Sequence, residues 1–185
     1  LIPTFLRLSK NGDQFLHFET LAKKMAEWLL TLQMENGAFP AGYFREGQKQ
    51  TPSIFNSAQI MLGLLAAAKH FEESRFEKAT LKCSGFLKNE QQNDGSWNRF
   101  GYSNNPFPSY YTRVGWPLIL AGKTLKHPEF VASGKQCLDH IATRSEKEGE
   151  MKMAGFHLKD KAWLHTLTYT IRGFWEGHEL LGEQR

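Results

Sequence analysis

The chain has 185 residues, 41% of them hydrophobic and 23% charged, with a formal net charge of +4 at pH 7. That is about one domain's worth of chain with apolar content enough for a core, and its lysines and arginines are interspersed with acids, which excludes the basic stripe of a nucleic-acid surface. No apolar run is long enough to span a membrane, and the N-terminus lacks the basic-then-apolar pattern of a signal peptide.

The chain opens at Leu1 rather than Met, as a fragment, a processed product or a trimmed chain would. Residues 1–20 read as a lead-in with a turn at Asn11-Gly12-Asp13, tucked against the body by Phe5, Phe15 and Phe18. Leu21, Met25, Trp28, Leu29 and Leu32 then follow the spacing of a one-sided amphipathic helix. The stripe returns as Ala79, Cys83, Phe86 and Leu87, and more weakly as Phe130, Gly134, Cys137, Leu138 and Ile141. These predict an outer layer. Cys83 and Cys137 fall in different helices and read as free core thiols of a reducing, cytoplasmic compartment.

Each outer helix precedes a segment apolar nearly all round: Ile54 to Lys69, Val114 to Gly122, where Pro117 must kink the helix or sit in its first turn, and Trp163 to Leu181. The order is outer helix, long loop, inner helix, short turn, with hairpins at about 20–70, 75–123 and 128–182 of one domain. Outer-to-inner loops of about twenty residues far exceed the usual roughly 4–6, as functional loops do. They place the long loops and the inner-helix N-termini on one rim, where unpaired N–H groups favour an anion.

Two of the long loops open on the same signature. Gln33 to Phe39 and Gln91 to Trp97 both read Gln-x-x-x-Gly-x-aromatic, 58 residues apart, with an aromatic five residues before each glutamine, Trp28 and Phe86. The glutamines are expected to bond backbone at the end of an inner helix, while Gly37 and Gly95 permit the turn and Phe39 and Trp97 pack the hairpin. Aligning Cys137 with Trp28 puts Ala142 where Gln33 stood, so the third unit has lost the signature.

This motif, repeated in α-hairpins, resembles the repeat of the α/α-toroid proteins: squalene and terpene cyclases, protein prenyltransferases and six-hairpin carbohydrate enzymes. The inner-helix openings Ile54-Phe55-Asn56-Ser57-Ala58-Gln59, Tyr111 to Trp116 and Leu164 to Gly173 look like those of bacterial toroid proteins associated with polysaccharide biosynthesis, and are similar in arrangement to uronyl epimerase and hydrolase sites. The resemblance implies an all-α fold and a partial (α/α) toroid. Closed toroids have five to seven hairpins, so three imply an open arc, or one closed by a missing segment or a homodimer.

Prenyl-diphosphate chemistry needs clustered aspartates, but Asp13, Asp94, Asp139 and Asp160 are far apart, and no aspartate, cysteine and histidine set suits zinc. The alternative isoprenoid reading is correspondingly poor. All five tyrosines, Tyr43, Tyr102, Tyr110, Tyr111 and Tyr169, fall in long loops or near inner-helix openings, as sugar stacking requires. Arg45, Arg113 and Lys161 supply cations for a uronate carboxylate.

The expected function is therefore binding of, or chemistry on, an anionic sugar or polysaccharide, with no cofactor and no metal. His157, Asp160 and His165 match no strong ligand spacing. Candidate acid, base and orienting groups are His165, Tyr111, Tyr169 and Arg113, with Asp160 or Glu46 as carboxylates. Candidate substrate contacts are Arg45, Tyr43, Asn56, Gln59, Trp116, Asp160 and Arg172. Asn56, Thr112 and Thr166 are read as equivalent positions that either cap helices or bind ligand, and Tyr169 and Arg172 as either site residues or a structural bond between inner helices. A non-catalytic binding or assembly module remains the other class.

Overall fold

A computed structural model of the chain describes residues 1–42, 47, 49–101, 108–144, 154–157 and 160–182. The fold is all-α, with seven helices among the described residues: α1 (Ile2–Leu8), α2 (His17–Thr31), α3 (Ile54–Phe71), α4 (Ser74–Glu90), α5 (Thr112–Leu125), α6 (Pro128–Ala142) and α7 (Leu164–Leu181). None of them is long and apolar enough to cross a membrane.

The expected lead-in is itself a helix. Ile2 and Leu6, one turn apart, are buried, and Ile2 reaches the face of Gly63 on α3. α1 is thus a short inner helix. Phe5 and Phe18 meet at 5.1 Å between ring centroids and hold α2 to it. On α2 the expected stripe is displaced: the fully buried residues are Ala22 and Ala26, while Trp28 is 53% exposed. The reason is close packing. Small residues let α2 approach its neighbour, and the large ones line the edges of the contact.

α3, α5 and α7 end alike, each on a residue in the left-handed region, Glu72 (φ 56°), Lys126 (φ 61°) and Gly182 (φ 66°), whose N–H returns to the carbonyl four residues earlier. After the first two of these the chain turns at once into α4 and α6. The inner helices α1, α3, α5 and α7 pack side by side, with α2, α4 and α6 laid along α1, α3 and α5. The most extensive pairing is therefore inner helix with the outer helix that follows it, not outer with the inner that follows, because the short turn brings the former two together.

The expected caps are corrected. α3 is capped by Ser53, whose Oγ accepts from the Asn56 N–H at 3.1 Å, and α5 and α7 have no side-chain cap. Asn56 instead donates to the Pro40 carbonyl at 2.9 Å, Thr112 to the carbonyls of Tyr169 (3.2 Å) and Thr170 (3.1 Å), and Thr166 to those of Ala154 and Trp163.

The repeated signature is a brace between units. Gln33 Nε2 donates to the carbonyl of Gly37 at 3.0 Å in its own loop and to that of Ala79 at 2.8 Å on α4. Gln91 Nε2 does the same with Gly95 and with Ser133 on α6, both at 3.0 Å. The expected partner was the end of an inner helix, and the observed one is the next outer helix. Gly37 and Gly95 have φ of 89° and 93°, and a Cβ on either would collide with the carbonyl of Lys82 or Gln136. Both demands select glycine. Phe39 and Trp97 are buried as expected, Trp97 donating Nε1–H to the Leu87 carbonyl at 2.8 Å. The cysteines are free and buried at matching places: Cys83 Sγ lies 3.5 Å from the Ser57 carbonyl, Cys137 Sγ 3.4 Å from that of Tyr111, and burial pushes the Cys137 thiol up to about 12.

Replacing Gln91 by Ala removes three hydrogen bonds at once, since Ser133 Oγ also donates to its Oε1 at 2.6 Å. Gln91→Ala is expected to lower stability by about 2–3 kcal/mol and Gln33→Ala by about 1–2 kcal/mol, read as a shifted denaturation midpoint at unchanged slope.

The brace also carries a titration. Asp94 accepts from Ser96 N and Oγ, which holds its carboxyl below the usual range, and lies 3.5 Å from His140 Nδ1 on α6. Burial, followed by the Arg144 charge, holds His140 below the ordinary histidine value despite Asp94. The unfolded chain therefore binds more protons at this residue, and its contribution to stability falls as pH drops through about 6.5. Asp94 adds its own loss only at lower pH, as the solution passes through its depressed folded value. Thermal melts of parent and His140→Gln between pH 7 and pH 5 should show the parent losing more stability.

Candidate functional site: an aromatic pocket at the inner-helix openings

Aligned on their left-handed C-terminal residues, the inner helices match at intervals of 54 and 56 residues. Asn56, Tyr110 and Thr166 then share one register, not Asn56, Thr112 and Thr166. All three line one pocket of about 250 Å³, with Phe55, Phe156, His165 and Tyr169. It lies where the N-terminal ends of α3 and α7 meet the 3₁₀ turn Ser109–Tyr111 that leads into α5.

Five rings close a circuit around it. Phe55 and Tyr110 meet edge to face at 5.5 Å, as do Tyr110 and Phe156 at 5.8 Å and His165 and Tyr169 at 5.9 Å, while Phe156 and His165 are tilted at 5.5 Å and Tyr169 stacks back on Phe55 at 6.0 Å. Such contacts hold each ring by its neighbours without saturating its face. Trp163, half-exposed, flanks Phe156 and His165 at 6.4 and 6.2 Å and extends the aromatic surface outward.

Behind Tyr169 lies a second group. The Arg113 guanidinium covers Tyr169 at 4.8 Å and Trp116 at 5.4 Å, and Arg172 covers Trp116 at 5.4 Å. Arg172 Nε donates to Glu176 Oε1 at 3.2 Å. Burial and then the Arg172 charge lower the Arg113 pKa, while Tyr169 and Glu176 oppose the shift.

Gln59 orients Arg113 from both ends. Its Oε1 accepts from Arg113 Nε at 2.9 Å and also from Nη2, and its Nε2 donates to the Arg113 carbonyl at 2.6 Å. Pro117 lies inside α5, four residues on, and has no N–H to give that carbonyl. The Gln59 amide takes the place of the missing donor.

The structure thus gathers His165, Tyr169 and Asn56 at the pocket, and Gln59, Arg113, Trp116 and Arg172 beside it. Tyr111 is not among them: it is buried against Trp97 at 6.1 Å and backs a separate crevice of about 10 Å³ near Cys137 and His140. Asp160 is exposed, accepts from the His157 N–H at 3.0 Å and is not among the described residues that line the pocket. Asp160, His157 and His165 do not form a metal-ligand group among the described residues. Tyr43, Arg45, Glu46 and Tyr102 lie outside the described residues. The sequence singles out Tyr110 only as one of five tyrosines suited to stacking, and does not single out Phe55, Phe156 or Trp163. The available signal was an aromatic at or next to each inner-helix opening, which registering the helices by their C-terminal ends would have brought out.

No protein-family model and no curated protein matches this chain. The site therefore rests on its own geometry.

The Gln59 substitution for a helical N–H is testable by a double-mutant cycle. Gln59→Ala should cost about 1–3 kcal/mol in the parent, because the Arg113 carbonyl is then left without a donor. In a Pro117→Ala background the helix supplies that donor, so the cost should fall, with a coupling of about 0.5–1.5 kcal/mol in chemical denaturation.

Proposed function

We propose that the rim pocket binds one anionic sugar unit of a polysaccharide, and that the chain is an arc of an α/α-toroid in which this pocket is the binding site. The observation that carries the reading is the circuit of five rings interrupted by polar groups. Ring faces suit the C–H face of a pyranose, and the His165 imidazole, the Tyr169 hydroxyl and the Asn56 amide lie among them. At about 250 Å³ the pocket falls just short of the roughly 300–1,000 Å³ of drug-sized ligand sites, so it suits a single ring with the rest of the polymer outside, along Trp163. Arg113 and Arg172, on the far side of Tyr169, favour a ligand carrying a carboxylate.

Two features favour binding over bond cleavage. The described lining holds one imidazole and no carboxylate, so no carboxylate among its described residues can pair with His165 as acid and base. His165 and Arg113 approach Tyr169 separately, and Arg113 is not part of the pocket lining. The isoprenoid reading gains nothing from the lining, which has no aliphatic side chain among its described residues to wall a prenyl chain.

Thermal unfolding in the presence of uronic-acid oligosaccharides, neutral oligosaccharides and prenyl diphosphates tests this. A ligand at a hundred times its Kd stabilises the fold by about 2.7 kcal/mol. Uronate oligosaccharides are expected to raise Tm, Trp163→Ala and His165→Ala to weaken the response at least tenfold in ligand concentration, and Arg113→Gln to erase the preference over neutral sugars. Stabilisation by prenyl diphosphate alone, or variants that respond like the parent, would sink the carbohydrate reading.

A further inference from the structure

The dipeptide Asn-Gly occurs twice in the chain, at Asn11-Gly12 and at Asn36-Gly37. An asparagine before a glycine is open to deamidation, because the glycine nitrogen reaches the side-chain amide with no Cβ in the way. That nitrogen loses its proton to water and attacks Asn Cγ. The Cγ–Nδ2 bond breaks, and ammonia leaves with a proton returned. Water then opens the five-membered imide at either carbonyl, giving aspartate or isoaspartate with no change of oxidation state. For the ring to close, the glycine nitrogen must give up any hydrogen bond and turn onto Cγ, and Oδ1 must swing aside.

The two copies differ in these freedoms. Asn36 and Gly37 belong to the brace. The Gly37 N–H donates to the Met34 carbonyl at 2.9 Å, Asn36 Oδ1 accepts from the Ala38 N–H at 3.1 Å, and the Gly37 carbonyl accepts from Gln33. Gly37 is also pressed onto α4, where a Cβ would collide with the Lys82 carbonyl. At the other copy the Asn11 amide makes no hydrogen bond among the described residues, and a Cβ on Gly12 would meet only the Gln14 side chain, at 3.6 Å. Asn36 and Asn11 are both exposed, so access of water does not distinguish the sites. The ties do.

We propose that Asn11 is a site of spontaneous deamidation in the folded protein, and that the brace shields Asn36 from the same reaction. The shield protects the register between units. Asp94 holds the place of Asn36 in the second unit and accepts from the Ser96 N–H as Asn36 does from that of Ala38, so an aspartate at 36 would fit. Isoaspartate would not, because it adds a carbon to the main chain and carries Gly37 off Lys82. At Asn11 either product is accommodated in an exposed turn and adds a negative charge two residues from Asp13. The inference does not depend on the carbohydrate reading.

The test is peptide mapping by mass spectrometry after incubation of the full 185-residue chain at mildly alkaline pH, folded and in urea. In urea the two sites should convert at similar rates. In the folded chain Asn11 should keep that rate, and Asn36 should fall at least about tenfold below it, since only molecules with the brace open can react. Gln33→Ala should speed conversion at Asn36 by about five- to thirtyfold and leave Asn11 unchanged. Asn11→Gln should remove the fast modification and keep the helical circular dichroism spectrum. Equal rates at the two sites of the folded parent, or an Asn11 as slow as Asn36, would overturn the proposal. So would a Gln33→Ala chain that stays helical and shows no acceleration at Asn36. The folded and urea rates of the parent decide the matter even where Gln33→Ala does not fold.

Discussion

The placement of α4 and α6 depends on one amide group in each of the first two long loops. Gln33 and Gln91 each bind two carbonyls with one NH₂, one in the loop that follows and one in the middle of the next outer helix. A helix carbonyl in mid-helix already has its intrahelical partner, so the glutamine uses the second lone pair, which costs the helix nothing and yields a directional tie. The same loop brings Gly37 or Gly95 onto the outer helix one turn further along, at Lys82 or Gln136. Two contacts one turn apart fix both the distance and the axial register between units. The brace thereby ties the loops that lead into α3 and α5 to the outer helices α4 and α6.

The pocket itself is held by polar ties from the other direction. Thr112 sits where a Cβ on Gly173 would collide, and its hydroxyl donates to the carbonyls of Tyr169 and Thr170. Close approach and hydrogen bonding together set α7 against α5 at the level of Tyr169, the residue shared by the aromatic circuit and the arginine group. Gln59 does the corresponding work between α3 and α5, and does so at the point where Pro117 has interrupted the helix. A proline inside a helix ordinarily leaves a carbonyl unsatisfied. Here the vacancy is what lets a neighbouring inner helix bond the backbone beside Arg113, so a local defect becomes an inter-helix link next to the site.

Much of this was legible in the sequence because it is periodic. The signature at Gln33 and Gln91, the apolar stripes of α4 and α6 and the all-round apolar α3 gave the all-α class and the alternation of layers. What was not legible depended on small residues and on loop length. Ala22 and Ala26 are buried instead of Trp28 because close helix approach rewards the absence of a side chain, which a hydrophobicity pattern scores low. Pro117 reads locally as a kink or a first-turn residue, whereas it lies inside α5, and its compensation by Gln59 comes from another helix, which no local window contains. Asn56 was aligned with Thr112 instead of Tyr110 because the loops between units differ in length, whereas the helix ends keep register. That slip of two residues moved attention from Tyr110, which lines the pocket, to Tyr111, which belongs to the core.

The three inner-helix openings show how one repeat can build a site without a shared motif. At the first register position stand Phe55, Ser109 and His165, at the second Asn56, Tyr110 and Thr166, and one turn on Gln59, Arg113 and Tyr169. Each row places different chemistry at equivalent points, so the pocket is assembled across helices and not along any one of them. Residues that face a core are constrained to repeat, as Cys83 and Cys137 do against Ser57 and Tyr111. Residues that face the opening are free of that constraint and can differ from unit to unit. A row in which the backbone repeats and the side chains diverge is therefore where a repeat fold has room for a ligand, and the rows at Phe55 and Asn56 have that character.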